Sequence, residues 1–116
     1  MKTVDRVFGW LLVIGALLHG IGCMRAYGGN PEMLLWAECA TLAVLLLAGI
    51  NLLRAGRPQD RALAWISFLG CIGWFAAAFA FGKLIGNIFD FRSLTHEVNT
   101  LVLAAFSLRT AIGKAA

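Results

Sequence analysis

Apolar residues in this chain fall in four long runs, separated by short clusters of turn-forming and charged residues. The first run extends from about Arg6 to about Ala26. Tyr27-Gly28-Gly29-Asn30-Pro31 ends it, and Pro31 suits the first turn of a following helix. The second runs from about Glu32 to Leu53 and gives way to a loop, Arg54–Gln59. Asp60 is placed to cap the third, which covers about residues 60–82 and extends toward Asn87. After a turn at Phe89–Ser93, with Ser93 or Thr95 as cap, the fourth covers about residues 94–113. At a rise of about 1.5 Å per residue, such runs cross a hydrocarbon core roughly 30 Å thick. The pattern predicts an all-α integral membrane protein: a four-helix antiparallel bundle forming a single transmembrane domain over residues 1–116.

Composition agrees. Sixty percent of the 116 residues are hydrophobic and 14% are charged, against about 25% charged in soluble domains. The formal charge is +4, but the basic residues gather at helix ends with no interleaved aromatic stripe. They are read as topology signals, and no nucleic-acid partner is expected. Lys2, Arg6, Arg54, Arg57, Arg61, Arg109 and Lys114 share one side, while Arg25, Lys83 and Arg92 lie toward the other. Seven against three places both termini in the cytoplasm of a multi-pass membrane protein. Lys2 and Arg6 followed by Val7–Leu18 imitate a signal peptide, but no A-x-A-like cleavage site follows, so the segment is expected to stay as the first membrane helix.

Several residue types read as packing. Gly15, Gly20 and Gly22, then Gly70, Gly73, Ala77 and Ala78, and the G-x-x-x-G of Gly82 and Gly86, let helices approach closely. Trp10, Trp36 and Trp65 fall near interfaces, and Trp74 belongs inside. Cys23, Cys39 and Cys71 lack C-x-x-C spacing and read as small apolar residues; a bond between Cys23 and Cys39, at one end of their helices, stays open.

The alternating topology gathers polar residues at the extracytoplasmic half. The predicted binding residues there are His19, Glu38, Lys83, Asn87, Asp90, Arg92, His96 and Glu97. Glu38 lies six residues past Glu32, about 9 Å below the helix start, and His19 lies at similar depth. A carboxylate there costs on the order of 2.5–3.5 kcal/mol. It is expected to face the interior within hydrogen-bond or ion-pair reach of His19, Lys83, Arg92 or His96. Glu97 and Asn99 point about 200° apart and are not expected to line one pocket. Structural roles compete with this reading: a satisfied core histidine for His19, a buried but purely structural carboxylate for Glu38, headgroup contact for Glu97, and snorkelling for Lys83 and Arg92.

Specific chemistries fit less well. Haem between His19 and His96 is disfavoured by their different predicted depths, and a metal at His19, Glu38, His96 and Glu97 by the absence of E-x-x-H or H-x-x-E-H spacing. Small multidrug transporters have similar length but rely on a glutamate in their first helix, which is absent here. No serine lies in a nucleophile-elbow pattern.

The stretch Phe81–Phe91, F-G-K-L-I-G-N-I-F-D-F, resembles the G-R-L-x-G-x-x-x-D-G signature of small bacterial membrane proteins related to DoxX. Lys83, Gly86 and Asp90 take the basic, glycine and acidic positions, with Lys for the usual Arg and Phe91 for the final glycine. Glu38 in W-A-E-C-A and Glu97 match glutamates placed early in the family's second and fourth helices, while a Y-G-G of its second helix has no counterpart. The resemblance implies a four-helix bundle with a polar pocket near the outer face. Links of some relatives to quinone-dependent redox systems imply an accessory redox role. No cofactor is specified. The functional expectation is a binding or accessory module that holds a membrane lipid, quinone or other small amphiphile, or docks on a larger membrane complex. The alternatives are a small enzyme using Glu38 and a histidine for acid–base chemistry on a lipid-soluble substrate, and a small proton-coupled transporter.

Overall fold

Run length and turn chemistry divide the chain much as the pattern predicts. The computed structural model describes residues 1–113, in which there are four α-helices and no strand: α1 (Lys2–Tyr27), α2 (Pro31–Gly56), α3 (Arg61–Leu84) and α4 (Phe91–Ile112). Lys114, counted above among the basic residues of one side, lies outside the described residues. Pro31 opens α2, behind Asn30, whose side chain accepts the Met33 N–H at 3.1 Å. Asp60 caps α3 by accepting the Leu63 N–H at 2.9 Å. α1, α2 and α3 are each long and apolar enough to cross a membrane.

Three boundaries differ from the sequence reading: α1 begins at Lys2, four residues before Arg6, and the end of α2 and the start of α4 also shift. α2 continues through Arg54, which was expected in a loop, because its guanidinium is buried and paired with Asp5. α3 ends at Leu84, within the expected range, and Gly86 takes a φ of 75° in the turn beyond it, a backbone region glycine enters without steric cost. α4 starts three residues early because Asp90, not Ser93 or Thr95, supplies the cap, accepting the Arg92 N–H at 3.0 Å. Ser93 is instead buried within α4 and donates to the Ala78 carbonyl at 2.8 Å.

Small residues set the helix contacts. A Cβ on Gly9 would overlap Leu52 of α2, and one on Gly70 would overlap Leu47. At Gly82 the obstacle includes backbone: a Cβ there would lie 2.8 Å from Ser93 Oγ and 3.2 Å from the Ile88 Cα, so glycine lets α3 meet the start of α4 closely. The start of α1 lies beside the end of α2, and the end of α3 beside the start of α4. Leu12, Ala16, Val44, Leu47, Ala48, Cys71, Leu103 and Ala104 form the central core.

α4 buries many polar residues. Ser93, Glu97, Asn99, Thr100 and Ser107 turn inward beside Leu103, Ala104 and Ala111, while Leu94, Val98, Leu101 and Ile112 face outward. Glu97 and Asn99 are thus both buried, at 7% and 8% exposure. They still diverge as their spacing requires. Glu97 shares a hydrogen bond with Ser93, whereas Asn99 turns to α1, its amide in the orientation that donates to the Phe8 carbonyl at 3.1 Å and accepts the Leu12 N–H at 2.9 Å.

Candidate functional site

All four helices contribute to one interior polar cluster. His19 of α1 bonds through Nδ1 to the Thr41 hydroxyl of α2 at 2.8 Å. Trp74 of α3 donates its indole N–H to His96 Nδ1 of α4 at 3.1 Å. The two imidazoles meet edge to face with centroids 6.3 Å apart, and His19 and Trp74 lie at 6.5 Å in the same arrangement. An indole N–H only donates, so His96 Nδ1 is the accepting nitrogen and a neutral His96 carries its proton on Nε2. The His96 ring packs over Gly15.

The early start of α4 explains why the histidines meet. It moves His96 about 4.5 Å deeper than the predicted boundary did, at about 1.5 Å per residue. The expected difference in depth is therefore corrected: His19 and His96 share one level. Among the described residues no three His, Cys, Asp or Glu side chains gather as a metal site.

Glu38 faces inward beside this cluster but is not paired as expected. Its Oε2 packs where a Cβ on the buried Gly20 would lie, 3.2 Å away, and its Oε1 is buried with no hydrogen-bond partner among the described residues. Neither His19 nor His96 forms an ion pair with it; His19 Nδ1 bonds to Thr41 and His96 Nδ1 to Trp74. An acceptor left in this state costs about 1–3 kcal/mol, more if charged.

The remaining predicted residues lie elsewhere. Asn87 Oδ1 accepts the Phe89 N–H at 3.0 Å within the α3–α4 turn. Asp90 and Arg92 form an exposed ion pair at 2.9 Å, and the Arg92 side-chain hydrogen bonds hold the Asp90 carboxyl below its ordinary value. Lys83 reaches over the Phe79 ring and Arg92 over the Phe81 ring. These four residues gather at or beside the α3–α4 turn instead of joining Glu38. Glu97 is buried, contrary to headgroup contact, and shares a hydrogen bond with Ser93. All three cysteines are free thiols, and Cys23 Sγ lies 3.6 Å from His19 Nδ1.

Residues the sequence reading missed share helical spacings with those it found. Thr41 follows Glu38 by three and Cys23 follows His19 by four, one face in each case. Trp74 was expected inside, but its bond to His96 was not. It also lies on a second feature: an apolar groove of about 290 Å³ between α2 and α3, lined by Ala43, Leu46, Leu47, Ile66, Gly70 and Trp74 among others.

A second polar network was missed entirely. Arg54, 1% exposed, forms a two-pronged ion pair with Asp5 at 2.9 and 2.5 Å. Asn51 Oδ1 accepts from Ser67 at 2.8 Å, Ser67 and Ser107 share a bond at 2.9 Å, and Asn51 Nδ2 donates to Cys71 Sγ at 3.3 Å. No protein family, curated protein or solved structure matches this chain.

Proposed function

We propose that this protein is an inner-membrane binding module, a four-pass antiparallel bundle with both termini in the cytoplasm. Its interior site takes the polar head of a small amphiphile such as a quinone. The fourth crossing is argued from α4, which buries Ser93, Glu97, Asn99, Thr100 and Ser107 and turns Leu94, Val98, Leu101 and Ile112 outward; in a solvent of lipid this is the favourable arrangement. The orientation rests on the basic-residue bias.

One observation carries the ligand reading. Trp74 joins the apolar α2–α3 groove to the His19–Thr41–His96 cluster, beside which Glu38 Oε1 is buried without a partner. A groove suited to a tail therefore adjoins groups suited to a head, the usual composition of a small-molecule site. Glu38 is the vacant acceptor, or the donor when protonated, for a hydroxyl or carbonyl of the ligand. The resemblance to DoxX relatives points the same way.

The test is binding of a short-chain quinone to the purified protein, read by quenching of Trp74 in a variant with Trp10, Trp36 and Trp65 replaced by Phe. Saturable quenching lost in Glu38→Leu or His96→Leu supports the reading. Non-saturable quenching, unchanged in both variants, refutes it.

A further inference from the structure

At the opposite end from Glu38, the helix termini enclose a cavity of about 270 Å³. Its wall includes Lys2 from α1, Arg54 from α2, Arg61 from α3 and Arg109 from α4. Each helix thus supplies one cation. The acids nearby do not balance them. Asp5 also lines the cavity but is committed to Arg54, and Asp60 caps α3 through the Leu63 N–H. Lys2, Arg61 and Arg109 are exposed and unpaired with any acid among the described residues. Arg61 is also positioned, its Nε donating to the Ala111 carbonyl at 2.8 Å, which leaves its terminal nitrogens for another acceptor. Arg54, almost fully buried in the wall, keeps an Nε with no partner.

We infer that this cavity is a binding site for a phosphate-bearing anion, held by Lys2, Arg61 and Arg109 over the Asp5–Arg54 pair. Three cations on one cavity wall, with no paired acid among the described residues, favour a compact multivalent oxyanion, and guanidinium groups match its oxygens two at a time. Such chemistry belongs to the headgroup of an anionic phospholipid or to a free phosphate. A basic pocket at helix ends on the cytoplasmic side of a membrane suits the headgroup, because the cytoplasmic leaflet is the anionic one. The site is separate from the amphiphile site and does not depend on it.

The experiment uses the whole protein in detergent, where membrane orientation plays no part. Spin-labelled phosphatidylglycerol and phosphatidylcholine are compared, with inorganic phosphate as competitor. Phosphatidylglycerol should be retained over phosphatidylcholine. Lys2→Gln and Arg109→Gln should each weaken it about fivefold, corresponding to about 1 kcal/mol per cation. Arg57→Gln removes the same charge outside the cavity wall and should change nothing. Neither Lys2 nor Arg109 is buried, so these variants test the site without opening the core. Displacement of the lipid by millimolar inorganic phosphate assigns the site to free phosphate, and retention against it assigns the site to the headgroup. Equal retention of the two lipids without phosphate binding overturns the inference. So does an equal loss in Arg57→Gln, which would reduce the effect to general surface charge.

Discussion

Removing one partner of the Asp5–Arg54 pair should be among the most damaging single changes in this protein. The pair joins α1 to α2 through two charged hydrogen bonds, and both residues are buried, Arg54 at 1% and Asp5 at 7% exposure. Breaking a buried ion pair from one side costs about 3–5 kcal/mol, most of it the desolvation of the charge left behind. The two sides are not equivalent. Arg54→Leu strands Asp5, which borders the cavity and has the more accessible side chain, at 10% against 1% for Arg54. Water can then solvate it, so the loss should fall near the lower figure. Asp5→Leu strands a guanidinium whose Nε already lacks a partner, and the loss should reach the upper figure. The double variant Asp5→Leu/Arg54→Leu removes both charges. Because apolar replacement of a buried pair is often neutral or stabilising, it should be more stable than either single variant. Asn51 keeps its bond from Ser67 in all three. The assay is reversible denaturation of the purified protein, by steric trapping or titration with sodium dodecyl sulfate, with helix content followed by circular dichroism. Single variants within about 0.5 kcal/mol of the parent, adding simply in the double, would refute the assignment of a desolvated, coupled pair.

Glu38→Leu should leave the fold intact and raise its stability by up to about 2.5 kcal/mol, since it removes an unpartnered buried acceptor; a clear loss in the same denaturation assay would show that Glu38 has a structural partner. Gly82→Ala should destabilise by about 1–3 kcal/mol through overlap with Ser93 and the Ile88 backbone, whereas Gly73→Ala, which meets nothing within 4 Å, should not. A C-terminal alkaline phosphatase fusion should be inactive and a cytoplasmic reporter active; high phosphatase activity would reverse the proposed orientation. The Asp90 carboxyl should titrate below the usual carboxylate range in a carbon-13 spectrum, and Arg92→Gln should bring it back up. Because that value is depressed on folding, the cap helps α4 above the ordinary carboxylate range and loses its contribution as pH falls through the folded value.

Helix number, order and approximate span were legible in the residue pattern, because run length and turn formers act locally. Pro31 and Asp60 perform as their positions predict. The inward turn of His19, Glu38 and Trp74 followed from the cost of polar groups in lipid. Partner choice was not legible. His19 meets Thr41 and not Glu38, and Trp74 meets His96, because these pairings depend on how each helix is rotated and how far it slides against its neighbours. That register is set by close contacts at small residues such as Gly9, Gly70 and Gly82, whose neighbours are distant in the chain. Asp5 and Arg54, 49 residues apart, looked like surface charges at helix ends; only the packing of α1 against α2 desolvates them and makes them a pair. The depth of His96 turned on a single cap, Asp90 in place of Ser93, and Ser93 was free to enter the helix because Gly82 leaves it room. The polar residues of α4 carry the same lesson. Their 3.6-residue period separates Glu97 from Asn99, yet α3 lies on one side of that helix and α1 on the other, so both are buried. Local chemistry determined where this chain is helical, and contacts between helices determined which of its charges are interior.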